Sequence, residues 1–240
     1  VVGLGADSMS QNTGNATLWG GVQYEMDSTA MSTANVDIAP NDMTSRGTIS
    51  FANTDSTFRV GTWNYLKWTE KETAALEQIL KNQGIQTESR KGYAASEEAF
   101  KSLGQSKPAP RILHIATHGF FFPDPKQERV SNEQVSGERE PVFRMSDHPM
   151  IRSGLVLAGA NYAWRTGKPL REGVEDGILT AYEISQMNLS NTELVVLSAC
   201  ETGLGDIQGN EGVYGLQRAF KIAGVKYLVM SLWQVPDQET

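Results

Sequence analysis

Arg111–Thr117 (RILHIAT) is a near-continuous apolar run, closed by Pro110 before it and Gly119 after it. A strand with one wet face alternates apolar and polar residues, so a run without alternation belongs to a strand covered on both faces, as in parallel sheets. Leu155–Ala158 and Leu194–Ser198 repeat the signature. Helical patterns stand between and around these runs. Thr69 and Glu72 form a T-x-x-E capping box ahead of Ala75, Leu76, Ile79 and Leu80, and Gly84 stops that run. Ile85–Ser89 is a short strand. Ser96 caps a second helix with Ala99, Phe100 and Leu103 inside, ending at Gly104. A second capping box, Thr180 and Glu183, opens a helix through Ile184 and Met187. Val213, Leu216, Phe220 and Ala223 line one face of a helix ended by Gly224, and Tyr227–Trp233 is a last strand. Strands and helices alternate, so the class is α/β.

Two stretches break this texture. Residues 1–65 are poor in charge and rich in Ser, Thr, Asn and Gly, with short apolar runs at Leu18–Tyr24 and Ile49–Phe51. They read as edge strands and loops attached to a core spanning 66–240. Phe121–Arg152 carries Pro123, Pro125, Pro141, Pro149 and charges of both signs, the composition of a long mobile loop.

Composition then narrows the function. The 240 residues allow one large domain or two small ones, and an apolar share of 39% fills a real core. With 28 acidic against 21 basic residues and a net charge of −7, the chain has no broad electrostatic footprint for nucleic acid. No apolar stretch approaches the roughly 18 to 20 residues that span a bilayer. Cys200 is the single cysteine, so no intrachain disulfide forms and the expected compartment is the reducing cytoplasm. The chain begins at Val1 with no charged leader and apolar segment, and it reads as a piece of a longer protein.

In open α/β sheets chemistry sits beyond the carboxyl ends of the strands. Two residues stand there: His118, after RILHIAT, and Cys200, at the end of LVVLSAC. A thiol becomes a nucleophilic thiolate near neutral pH when a base or cation lies beside it, and imidazole is the usual partner. A lone cysteine after a hydrophobic strand is more often inert core filler, and a lone histidine more often structural. Their joint placement, with Gly119 allowing a backbone N–H to approach a substrate oxygen, supports the dyad. His114 and His118 stand four apart, but on a strand that spacing covers roughly 13 Å, so they are not a zinc pair. Gly203, Gly205, Gly209 and Gly212 precede a helix without the third glycine or the Gly-Lys-Ser of a phosphate loop. No cofactor is expected.

The strings ILHIATHGFF, SGLVLAGAN, EDGILTAYEI, LVVLSACETG and GVYGLQRAFKIAGVKYLVMSLWQVPDQET together resemble a CHAT domain, the caspase-like domain often fused to tetratricopeptide repeats. The resemblance runs from about Leu18 to Thr240. It implies the caspase-type three-layer sandwich, a mostly parallel sheet with helices on both faces, shared with caspases, gingipains and separase. It implies a cysteine endopeptidase, with His118 and Cys200 as the dyad and the Gly119 and Cys200 N–H groups as the oxyanion hole. The two catalytic positions lie 82 residues apart, more than the roughly 50 of caspases. The 121–152 stretch accounts for the excess.

By the same resemblance Ser231 and Trp233 contact an extended peptide adding to the sheet edge, Trp233 being equally suited to core packing. A buried acid would select a basic residue before the scissile bond. Asp176, Glu201 and Asp206 are the candidates, and Asp176 leads because it lies in EDGILTA. A further helix and closing strand are expected beyond Thr240. The implied partners are a protein substrate and a regulatory repeat domain or partner protein, in a bacterial setting, without nucleic acid or membrane. The alternative function is a catalytically silent interaction module. No third member of a triad is evident.

Overall fold

The computed structural model describes residues 14–26, 62–122, 148, 150–198 and 211–230. Its strands are β1 (Asn15–Val22), β2 (Gln86–Gly92), β3 (Ile112–Ala116), β4 (Gly119–Phe121), β5 (Ser153–Val156), β6 (Ile178–Thr180), β7 (Leu194–Ser198) and β8 (Tyr227–Met230). Its helices are α1 (Lys67–Asn82), α2 (Glu97–Lys101), α3 (Ala160–Thr166), α4 (Ala181–Ser185) and α5 (Glu211–Ile222). Five strands form one wholly parallel sheet in the order β2-β1-β3-β7-β8. The chain builds outward from β1 to β2 and then, on the other side, to β3, β7 and β8. The order therefore reverses between β1 and β3, and an open sheet has a crevice at the carboxyl ends of such a pair.

Helices flank this sheet, as a caspase-like sandwich requires. Neighbouring residues of β1 show how. Trp19 packs its ring 5.1 Å from Phe100 of α2. Gly20 points the other way, where a Cβ would lie 2.6 Å from both the Thr69 carbonyl and the Thr73 methyl of α1. Successive side chains of a strand leave opposite faces, so α1 and α2 cover the two sides. A larger residue at 20 would push α1 off the sheet. The core gathers around Trp19, Phe100, Leu113, Ile115, Leu155, Leu179 and Phe220, all essentially fully buried.

Several expectations hold. Ser96 Oγ accepts from the Ala99 N–H as an N-cap, and Phe100 is buried with Ala99 and Leu103 packed against the core. Thr180 and Glu183 form the complete reciprocal capping box. Gly84, Gly104 and Gly224 all close their helical runs with positive φ.

Others are corrected. β1 is no edge strand: it lies between β2 and β3 and is buried from Ala16 to Val22. Its Gly20–Gly21 pair weakens the strand signal because the sheet here needs close approach more than side-chain bulk. The Leu155–Ala158 run does not join the parallel sheet. β5 sits in a separate antiparallel sheet, β4-β5-β6. The Thr69–Glu72 box does not form either. α1 starts at Lys67, and Thr69 Oγ donates to the Leu66 carbonyl while accepting from the Gly21 N–H at 2.9 Å. The inner face of α1 is turned accordingly, with Thr69 and Thr73 buried and Ile79 exposed. The expected 121–152 loop loses both ends, since Phe121 belongs to β4 and Arg152 is buried. Residues 123–147 and the Ile49–Phe51 run lie outside the described residues.

Candidate active site

His118 stands two residues beyond β3, buried, at the sheet's reversal point. Its carbonyl accepts from the Val156 N–H of β5 at 2.9 Å, which anchors the backbone. Its Nε2 lies 2.8 Å from the Asn64 carbonyl oxygen. A carbonyl only accepts, so Nε2 carries the hydrogen, and in the neutral ring Nδ1 holds the lone pair of a base. The Asn64 main-chain carbonyl thus fills the orienting role for which the sequence shows no side chain.

Two rings flank the imidazole. Tyr24, just past β1, and Trp63, just before α1, each lie 5.0 Å from it, centroid to centroid. The Thr117 hydroxyl donates to the Val156 carbonyl at 2.5 Å, so the Tyr24 hydroxyl, 2.9 Å away, donates to Thr117. The two rings and the Asn64 carbonyl restrict the rotation of His118.

β3 and β7 are neighbours in the parallel sheet, so the segments that follow them start from adjacent strand ends. Each residue of β3 pairs with the one 82 positions later, ending at Ala116↔Ser198. Cys200 follows Ser198 by two positions, as His118 follows Ala116. Cys200, Glu201, Asp206, Ser231 and Trp233 themselves lie outside the described residues. Gly119 opens β4, and a Cβ there would find its nearest neighbour, the Phe121 ring, at 3.4 Å. Packing among the described residues therefore leaves room for a side chain at 119.

Asp176 sits in a group of acids gathered by one lysine. The buried Glu97 accepts the Gly177 N–H at 2.8 Å and Lys101 Nζ at 2.7 Å. Lys101 also reaches Glu175 at 2.9 Å and Glu183 at 2.7 Å. Carboxylates spaced this closely could hold a metal ion, but the ammonium occupies their common position. Burial pulls the Lys101 ammonium down, and the charges of Glu97, Glu183 and Glu175 outweigh it and hold it above its ordinary range. Burial pushes the Glu97 carboxyl well up, as do the charges of Asp176 and Glu183. The Asp176 carboxyl, which accepts the Ile178 N–H at 2.8 Å, is raised chiefly by burial to about 6.

That shift fixes a sign. Asp176 binds its proton more tightly folded than unfolded, so the added stability is full below its ordinary pKa of 3.8 and is lost as pH rises through about 6. Relative to Asp176→Asn, the wild type should lose on the order of 2 kcal/mol between pH 4 and pH 7. Thermal unfolding of both proteins across that range measures it, and parallel curves would refute the assignment.

His114, within β3, faces Glu72 of α1 with Nε2 3.1 Å from Oε1. It thus lies under α1, while His118 is held by Asn64. Sequence reasoning missed Asn64, Trp63, Tyr24 and Lys101. Only Lys101 left a trace, its i,i+4 spacing from Glu97. A family model described as the CHAT domain matches residues 17–240. No curated protein matches the chain.

Proposed function

The chain belongs to the CHAT domain family, and from that premise we propose that it is a cysteine endopeptidase acting through Cys200 and His118. The observation that supports this most is the adjacency of β3 and β7 in a register that carries both residues the same two positions past the last pair. The orientation of His118 by the Asn64 carbonyl adds to it.

In this reading His118 Nδ1 takes the Cys200 proton, and the thiolate attacks the scissile carbonyl carbon. The Gly119 and Cys200 N–H groups hold the resulting oxyanion. The imidazolium protonates the leaving amine as the C–N bond breaks. Water, deprotonated by His118, then displaces the thiolate from the acyl-enzyme and releases the carboxylic product. Through all of this the Asn64 carbonyl keeps its hydrogen bond to Nε2–H and stabilises the cationic ring.

Selection of a basic residue before the cleaved bond forms part of the proposal. A carboxyl titrating near 6 that already binds a backbone N–H is a weak counter-ion for a substrate cation. Asp176 is therefore tested beside Glu201 and Asp206. Ser231 and Trp233 would contact the peptide as it extends the sheet. The substrate is a protein, and control by a fused or partner repeat domain in the cytoplasm completes the reading. Among the described residues no helix is long and apolar enough to cross a membrane.

Incubation with an arginyl chloromethyl ketone peptide tests the chemistry. One covalent adduct should appear in the intact mass, map to Cys200, and be absent in His118→Ala at the same exposure. A wild-type chain that stays unlabelled, while iodoacetamide still reaches its thiol, would replace the enzyme by an interaction module.

A further inference from the structure

We propose that Asn161 is a positioning residue for His118, acting through the backbone of Trp63–Asn64; the inference rests on the proposed Cys200–His118 chemistry and deepens it. Asn161 lies in α3, far in sequence from both catalytic positions, and is 2% exposed. Its carboxamide pairs with a single residue on both sides. Oδ1 accepts the Trp63 N–H at 2.7 Å, and Nδ2 donates to the Trp63 carbonyl at 3.1 Å. Nδ2 also donates to Glu25 Oε2 at 3.0 Å. Glu25 is in turn held by both terminal guanidinium nitrogens of Arg165, one helical turn further along α3.

The amide orientation follows from these partners. A flipped amide would set NH₂ against an N–H and oxygen against both a carbonyl and a carboxylate. Asn161 thus mimics the edge of a strand for one residue and fixes the peptides on either side of Trp63. The next carbonyl along, that of Asn64, is the one that accepts the hydrogen bond from His118 Nε2–H.

The same helix holds the rings around the imidazole. Trp164 packs edge-on against Trp63, 5.0 Å between centroids, and Trp63 lies over His118. The Asn161 N–H donates to the Tyr24 carbonyl at 3.0 Å, and Tyr24 covers His118 from its other neighbour. Helix α3 therefore sets Asn64, Trp63 and Tyr24 through one buried side chain and its neighbours. Tyr24, Trp63 and Asn64, three groups that contact the imidazole, are each at most one residue from an Asn161 hydrogen bond. Geometry this tight matters because a small misplacement of a base costs rate out of proportion to the stability lost.

The test reads the tautomer directly. Nitrogen-15 imidazole spectra of the whole chain, with His118 assigned by His118→Gln, should show a hydrogen on Nε2 only. Asn161→Ala should give a mixture of tautomers, and its iodoacetamide alkylation of Cys200 at neutral pH should slow about tenfold. Lost packing alone would lower the melting temperature and leave the tautomer unchanged, and that result would overturn the proposal. Should Asn161→Ala fail to fold, Asn161→Asp decides, since it keeps the acceptor for Trp63 and loses both donors. An unchanged tautomer there would also overturn it. If the wild-type thiol reacts no faster than in His118→Gln, the dyad fails, while the tautomer still reports on Asn161.

Discussion

Cys200→Ala should abolish cleavage of a basic-site protein or peptide substrate, by at least about 1,000-fold, while circular dichroism and the melting temperature stay near wild type. Replacing the thiol by a hydrogen removes one atom's volume at a strand end, a change small enough to leave the fold in place. The attacking atom is gone, and no other group can form the acyl-enzyme. His118→Ala should fall nearly as far, because without the base the thiol stays protonated. The two losses should not add in the double variant, since both residues act in one step. Cleavage that persists in Cys200→Ala would end the peptidase reading. So would the retention by that variant of every effect the wild type has in cells.

The second large effect is on stability. Lys101→Met should cost about 3 to 5 kcal/mol, because it leaves the buried Glu97 beside Glu175 and Glu183 without a cation. For a chain of this size the melting temperature should drop by about 10 °C. Adding Glu97→Gln to Lys101→Met should recover much of the loss, since the amide still fits the site and carries no charge. Urea unfolding of the four proteins forms the cycle. A single variant within about 1 kcal/mol of wild type would show that the cluster is solvated and contributes little to holding α2 against the turn at Gly177.

These two experiments bear on parts of the molecule that differ in how openly the sequence displays them. The strands before His118 and Cys200 were legible because burial on both faces removes alternation: β3 is buried from Leu113 to Ala116, whereas β7 keeps the apolar run although only Val195 and Leu197 are fully buried and Leu194, Val196 and Ser198 are half-buried. The same signal misled at Leu155–Ala158, because an apolar run records burial and carries no mark of strand direction. Two T-x-x-E strings looked alike and behaved differently. Thr180–Glu183 caps α4, but Thr69 spends its hydroxyl on Gly21 and Leu66, and Glu72 turns to His114. Tertiary partners decided between them. At the site, His118 was legible from its position after a strand. Asn64 was not, since every residue has a carbonyl and only the fold says which one meets an imidazole. Asn161 stood inside the string SGLVLAGAN without any sign that its amide would hold Trp63.

The constant offset of 82 between β3 and β7 separates two kinds of length change. Residues added between Phe122 and His148 raise that offset without touching the five paired positions. The ladder would stay in register and Cys200 would still follow the strand beside His118. A residue removed from within β7 has another result, because slipping a strand by one turns every side chain to the opposite face. A change of length between His118 and Cys200 is therefore compatible with this ladder where it falls between Phe122 and His148 and the five paired positions keep their count.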